Sequence, residues 1–373
     1  MEYTAVRLGL RDLQRAKLKF GLLGGALALL VFLLLFLNTL AATLLGFFTG
    51  AVKHNSAQVL IYNATARRNL QASRLPPGTV ERIRAVPGVG AAGPIGETTS
   101  TADVGKGLTD LSLFGWQPGL PGGPARVAGG IVPTAGEALV DKADEANGFK
   151  VGATITIQPT GKTLRIVGYT TDSRFNVGPT AYTPIDTYRD IVRAANPAAP
   201  YIPDNLVGVD AATGTSVGAV TRAINATVPG LEALSRATAV ASIPGASSVS
   251  QSFSLIVGIT FVIVVVVTGF FFLILTMQKL RVFTALRAVG ATTGYLASAL
   301  VVQVVVMVLL AVAAATVLLG VAALNSSPAF PLRVDPRLVV TATLAVLAFS
   351  LIASLVSVRR VARLDPVQAV GVR

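Results

Sequence analysis

Residues 20–48 read FGLLGGALALLVFLLLFLNTLAATLLGFF and contain no Lys, Arg, Asp or Glu. About 20 apolar residues cross the hydrocarbon core of a bilayer as a helix, so this stretch crosses with length to spare and either tilts or projects beyond the lipid. Residues 253–277, 296–324 and 338–358 are equally apolar and equally free of charge. The order is therefore one span, a polar insertion over 49–252, then three spans. This predicts an α-helical membrane protein with four transmembrane helices (1 + 3) and an inserted α+β domain. An even number of spans puts both termini on one side.

Charge indicates which side, because Lys and Arg beside short loops stay cytoplasmic. The flank 1–19 holds Arg7, Arg11, Arg15, Lys17 and Lys19. The loop 278–295 holds Lys279, Arg281 and Arg287, and the tail 359–373 holds Arg359, Arg360, Arg363 and Arg373. Against these stand Glu2, Asp12 and Asp365 alone, so most of the net +13 lies on three short flanks. Both termini are expected in the cytoplasm, with 49–252 and the short loop 325–337 outside. A nucleic-acid surface gathers its charge on one folded face; here membrane lipids account for the charge, and no nucleic-acid partner is expected. In the first flank Arg7, Arg11, Arg15 and Lys19 recur every fourth residue opposite Val6, Leu10, Leu13 and Leu18. That pattern fits either a helix lying on the inner membrane surface or a positive flank that only sets topology. The first span is too long for a signal-peptide core and no small-residue cleavage pattern follows it, so it reads as an uncleaved anchor.

The insertion has mixed periodicity. Thr79–Ala85 reads as a short helix stopped by Pro87-Gly88, and Val151–Ile157 alternates as a strand. Pro159-Thr160-Gly161-Lys162 turns that strand into a partner over Thr163–Tyr169. A strand end followed by a helix is expected over Tyr182–Arg193 and a helix over Gly214–Ala226, whereas Gly and Pro make 115–133 a loop. With no cysteine, the domain must fold on its apolar core.

Catalytic signatures fail one by one. Gly88-Val89-Gly90-Ala91-Ala92-Gly93 matches G-x-G-x-x-G, but it follows a helix and runs into Pro94, where a dinucleotide loop needs a strand before it and a helix after it. Gly161-Lys162-Thr163 lacks the glycine that opens a phosphate loop five residues earlier, since Thr156 stands there. His54 is the sole histidine and reads as a solvated stalk residue, leaving no zinc set or Cys-His pair. Glu137, Asp141, Asp144 and Glu145, interrupted by Lys142, read as a solvated helix face. No catalytic, metal or cofactor residue is assigned. Within the spans, Asn38 and Gln303 are the polar side chains of note, suited to interhelical hydrogen bonds or a substrate path. Spans without charge argue against an ion-coupled carrier, so energy must come from elsewhere.

That directs attention to residues 278–295, QKLRVFTALRAVGATTGY, with Val282, Leu286 and Val289 on one side, Arg281 and Arg287 elsewhere, and Gly290 as a stop. A short amphipathic helix held between two spans suits docking in a partner's groove, or lying on the membrane.

LRAVGAT (Leu286–Thr292), GEALVDKADEANGFKVGATITI (Gly136–Ile157) and RRVARLDPVQAV (Arg359–Val370), in this order of spans, resemble the FtsX-like or MacB-like permeases of ABC transporters, and FTALRAVG resembles their DevC-type branch. The resemblance covers nearly the whole chain. It implies a bacterial inner-membrane permease whose coupling helix, carrying Arg281, Val282, Phe283, Leu286, Arg287 and Gly290, rests on a separate ATPase. Two ATPase copies would bind the ATP and Mg, a second permease chain would complete the assembly, and an extracytoplasmic adaptor or target protein would attach to 49–252. The implied work is export or extraction of a substrate, or activation of an envelope protein without transport. Two departures stand out: Val282 occupies a position where relatives commonly carry Glu, and Gln303 aligns with a frequent Glu of the third span. The first removes an expected salt bridge to the ATPase, leaving helix shape and apolar contact to carry coupling.

Cysteines introduced at Ser173 and Ser326 are expected to react with an impermeant maleimide applied to intact cells, and cysteines at Thr292 and Val370 are not. Labelling at Thr292 from outside reverses the orientation.

Overall fold

The computed structural model describes residues 17–105, 107–278, 282, 285, 292–327, 331–332 and 334–362. The chain divides into a helical unit (up to Ala41, Ser252–Ser326 and from Leu332) and an outer unit (Ala42–Gln251 with Ser327–Pro331).

Four long helices, α1 (Lys17–Lys53), α6 (Ala246–Gln278), α7 (Thr293–Leu324) and α8 (Pro336–Ala362), supply the helical unit. Among the described residues three stretches are long and apolar enough to cross a membrane: Gly21–Lys53, Ala246–Gln278 and Val301–Leu324; the apolar part of α8, Pro336–Ile352, is shorter. Leu27, Val31, Leu34 and Leu35 of α1 share a core with Val264 and Phe272 of α6, Val304, Val308, Ala311, Ala315 and Leu319 of α7, and Val346 of α8. The three-and-four spacing on α1 and α7 is what puts each set on one helix face. Leu255, Ile259, Val262, Val266 and Phe270 form the exposed face of α6, as a lipid-facing surface requires. Thr260, Thr268 and Thr276 donate to the carbonyls of Ile256, Val264 and Phe272, so these hydroxyls enter an apolar medium already paired.

The outer unit is built from strands β1 (Val59–Asn63), β2 (Val89–Asp103), β3 (Leu108–Trp116), β4 (Glu137–Asp141), β5 (Thr154–Gln158), β6 (Lys162–Thr170), β7 (Thr180–Pro184), β8 (Leu206–Ala211) and β9 (Leu231–Ser235). Its helices are α2 (Thr79–Arg84), α3 (Ile185–Ala195), α4 (Val217–Thr227) and α5 (Arg236–Ala241). The strand order is β3-β7-β4-β6-β5-β2-β8-β1-β9, and β2 also pairs with β3. That extra pairing closes β2, β3, β7, β4, β6 and β5 into a ring of six, which removes free edges from this part. The 15-residue β2 belongs to two lobes: Val89–Ile95 pairs with β8, and Ile95–Asp103 pairs with β3. Alternation sorts the core. Leu111 and Leu113, Ile155 and Ile157, Leu164 and Ile166 face one ring core, whereas Val59 and Ile61 of β1 pack with Ile83 of α2 and Val220 and Ile224 of α4. The intervening Leu60 and Tyr62 enter a third core with Phe114, Trp116 and Tyr182. Both faces of β1 are thus covered, which is why VLIY reads as an unbroken apolar run.

The α2 helix, the β5–β6 hairpin and the β7–α3 junction fall where the sequence places them. β5 starts at Thr154 rather than Val151, because Gly152 turns the chain with φ +89°. α4 starts at Val217, where the Ser216 side chain accepts from the Ala219 N–H. The G-x-G-x-x-G run makes the turn out of α2 and the first residues of β2. The acidic run is a correction: Glu137–Asp141 is a strand inside the ring, and Lys142–Asn147 is a 3-10 turn capped by Asp141. The contiguous Ala138, Leu139 and Val140 are fully buried, and that burial overrides the charged flanks that suggested a helix. Ser173 is also fully buried, so the outer topology probe belongs at the exposed Thr213 instead.

Gly96 and Gly115 are cross-strand partners in β2 and β3, and the Tyr188 ring of α3 lies against both. A Cβ at Gly96 would sit 2.2 Å from that ring and one at Gly115 2.4 Å from the Tyr188 Cβ. Overpacking of this kind costs about 1–3 kcal/mol. G96A and G115A are expected to lower the unfolding free energy of the purified chain by that order, and so its urea midpoint, followed by fluorescence of Trp116, the single tryptophan. Wild-type midpoints in both variants contradict this packing.

Candidate functional site

The residues assigned to ATPase coupling lie largely outside the described residues: Arg281, Phe283, Leu286, Arg287 and Gly290 among them, along with the basic segment 1–16 and the tail 363–373. Val282 is helical and 57% exposed. Of the intramembrane candidates, the half-buried Asn38 donates from Nδ2 to the Leu34 carbonyl at 3.0 Å, within its own helix. Gln303 of α7 is buried, beside Val304 of the helical core.

The outer unit holds a built arrangement that sequence reasoning missed, at the end of α1. A loop between β6 and β7, residues 172–177, lies along the last turns of that helix. The Ala51 N–H donates to the Arg174 carbonyl at 2.8 Å, and the Phe47 and Phe48 carbonyls accept from Val177 and Asn176 at 3.2 and 3.3 Å. In an uninterrupted helix the Ala51 N–H and Phe47 C=O face one another; here each has a partner on the loop. Gly50 permits the approach, since a Cβ there would stand 2.6 Å from the Asp172 carbonyl and 2.8 Å from that of Arg174. Asp172, Asn176 and Val177 have positive φ (57°, 51° and 67°). For the β-branched Val177 this is strained backbone, the kind that persists only where its surroundings over-determine it.

Behind the loop its side chains enter the ring. Arg174 is 1% exposed, forms an ion pair with the fully buried Asp144, and carries the Phe47 ring 4.5 Å from its guanidinium carbon. Asp141 Oδ2 accepts from the Ser173 N–H at 2.7 Å, the Tyr182 hydroxyl donates to the Ser173 carbonyl at 2.5 Å, and Thr180 Oγ1 accepts from the Phe175 N–H. Burial pushes the Asp144 carboxyl up to about 6, against the opposing pull of Arg174. Asp141 and Asp144 are therefore structural anchors, not members of a solvated face. Glu137 does keep to the rim: two bonds from Thr134 and one from Arg165 hold its carboxyl down to about 2. Glu145 pairs with Lys142 at 2.6 Å.

His54 is the second correction. It is half-buried, and its Nδ1 lies 2.6 Å from the Asp172 carbonyl. Desolvation first, then Arg126, Lys53 and Arg236, lower its pKa to about 4. The ring is neutral at pH 7, and since a carbonyl only accepts, Nδ1 carries the proton. Beyond it, the Asn55 side chain donates to the Gly122 carbonyl and Arg236 donates to the Asn55 carbonyl at 2.6 Å, fixing the path from α1 into β1. Histidine and carboxylates gave no hint of this in the sequence; the close Gly50 and the apolar Phe47-Phe48 pair were the available signals.

The chain thus combines an α+β domain, which holds the end of one long apolar helix, with three further long helices. The chain matches the model of the MacB-like periplasmic core domain over residues 23–227 and that of the FtsX-like permease C-terminal region over 254–366. It belongs to this family of FtsX-like and MacB-like ABC transporter permeases, whose members imply an ATPase partner. An uncharacterized ABC transporter permease of Mycobacterium tuberculosis is 26% identical over 304 residues, covering 79% of each chain. A putative hemin transport system permease protein HrtB of Staphylococcus epidermidis is 25% identical over 111 residues, 30% of this chain and 32% of that one. Among solved structures, the periplasmic region of MacB from Actinobacillus actinomycetemcomitans aligns with half of this chain and 92% of its own, at 13% identity and a TM-score of 0.36.

His54 makes stability depend on pH. The folded value is depressed below the unfolded 6.5, so unfolded chains take up the proton first as pH falls, and the stability contributed by neutral His54 is lost between about 6.5 and 4. The urea-midpoint advantage of wild type over His54→Asn is expected to shrink across that window. An advantage independent of pH contradicts the assignment.

Proposed function

We propose that this chain is the permease subunit that converts ATP hydrolysis by a separate ATPase into conformational work outside the membrane, with export or extraction of a substrate as the outcome. The single observation supporting this most is that α1 is one helix of 37 residues. At 1.5 Å per residue it is about 55 Å long, enough to cross the bilayer and continue into the outer unit, where its last turns are bonded on several sides. Displacement at one end is then felt at the other, whereas a flexible linker would absorb it.

In this reading α8 is the fourth span, both termini and residues 278–295 are cytoplasmic, and residues 49–252 are extracytoplasmic. Two permease chains meet two ATPase subunits, which hold the ATP and Mg. Arg281, Val282, Phe283, Leu286 and Arg287 contact the ATPase, and Gly290 ends the coupling helix. ATP drives the change only through contacts that differ between the two states, and the charge-free spans leave the ATPase as the source of that difference.

Phe283→Ala, Leu286→Ala and Arg287→Glu combined are expected to weaken copurification of the ATPase or uncouple its hydrolysis, with membrane insertion intact. Fully coupled turnover in the triple variant contradicts the assignment.

A further inference from the structure

The chain leaves α1 through Asn55 and enters β1, which belongs to the lobe of β9, β1, β8 and the first half of β2. The covalent path therefore reaches that lobe first. The six-stranded ring shares β2 with that lobe and touches the residues just beyond α1 through 122–125, and the 172–177 loop joins it laterally to the last turns of α1 itself. Resting on the function proposed above, we propose that this loop is the transmission element that makes the ring move with α1, and that Arg174 and Asp144 are its positioning residues.

Three independent features converge there. Backbone bonds from Ala51, Asn176 and Val177 stitch the loop to the helix, and His54 adds a side-chain bond to Asp172. Gly50 leaves no space between helix and loop, so motion of one displaces the other. On the far side, Ser173 and Phe175 are bonded to Asp141 of β4 and Thr180 of β7, so the loop is fixed to ring strands on two elements. A buried ion pair is weak support for stability, because apolar residues of the same volume often serve as well. What the charges add is a single geometry. The planar guanidinium must meet Asp144 edge-on while it presents a face to Phe47, and this fixes the loop's position between helix and ring. Three left-handed non-glycine residues in one six-residue loop fit an element held in position by its surroundings.

The test places spin labels on the exposed Lys53, at the end of α1, and on the exposed Lys162, in the ring, with a second pair at Lys53 and Thr213 in the other lobe. Full-length permease is reconstituted in nanodiscs with its cognate ATPase, and distances are measured with and without ATP. In wild type the Lys53–Lys162 distance is expected to be narrow and unchanged by nucleotide. In Gly50→Ala, and in the apolar pair Arg174→Met with Asp144→Leu, that distribution is expected to broaden and become sensitive to nucleotide. The Lys53–Thr213 distance and Trp116 fluorescence should remain as in wild type. Phe47→Leu, which keeps apolar volume but removes the aromatic face, gives the same broadening in a milder form should either other variant fail to fold. Lys53–Lys162 distributions as narrow in the variants as in wild type overturn the proposal. Loss of ATPase coupling in wild type itself contradicts the proposed function, and leaves the distance comparison to decide on the loop.

Discussion

α1 ends inside a folded domain, where every backbone N–H and C=O must find a partner. The solution here is a loop that donates to the Phe47 and Phe48 carbonyls and accepts from Ala51, so the helix end is bonded from its side and not only along its axis. Much else depends on this. The loop needs a glycine opposite it at position 50, three residues in left-handed backbone, and a rigid support behind it, which Asp141, Asp144, Thr180 and Tyr182 provide from the ring. The buried ion pair and the buried Ser173 are consequences of holding one loop in one place.

The lobes follow the same logic of shared elements. β2 is long enough to serve two sheets, and its glycines at 90, 93 and 96 let neighbouring loops and the Tyr188 ring lie directly against its backbone. Two glycines of the G-x-G-x-x-G run, Gly90 and Gly93, are thereby accounted for by packing. In the helical unit the demands differ: apolar faces spaced by three and four meet across α1, α6, α7 and α8, and threonine hydroxyls fold back on their own helices.

What was legible in the sequence is what local pattern controls. Long charge-free runs marked the three helices long enough to cross a membrane and the shorter apolar stretch of α8, alternation with a Gly-Lys turn gave the β5–β6 hairpin, and Pro87-Gly88 ended α2. The acidic run and His54 are set by tertiary burial that local pattern does not carry: Asp144 looks like a surface residue until Arg174, 30 residues beyond it, folds against it, and Asp141 until Ser173 donates to it. The candidate ATPase contacts came from amphipathic spacing and family likeness. The 172–177 loop carries no periodic signal, since its bonds run through backbone groups that every residue possesses.

In the proposed mechanism, nucleotide bound by the ATPase alters the pose of the outer domain. Single-molecule energy transfer between dyes on Thr292 and Lys162, in permease reconstituted with its ATPase, tests it most directly. Two transfer efficiencies are expected, whose populations exchange when ATP is added and return after hydrolysis. One efficiency, indifferent to nucleotide while hydrolysis proceeds, would contradict it.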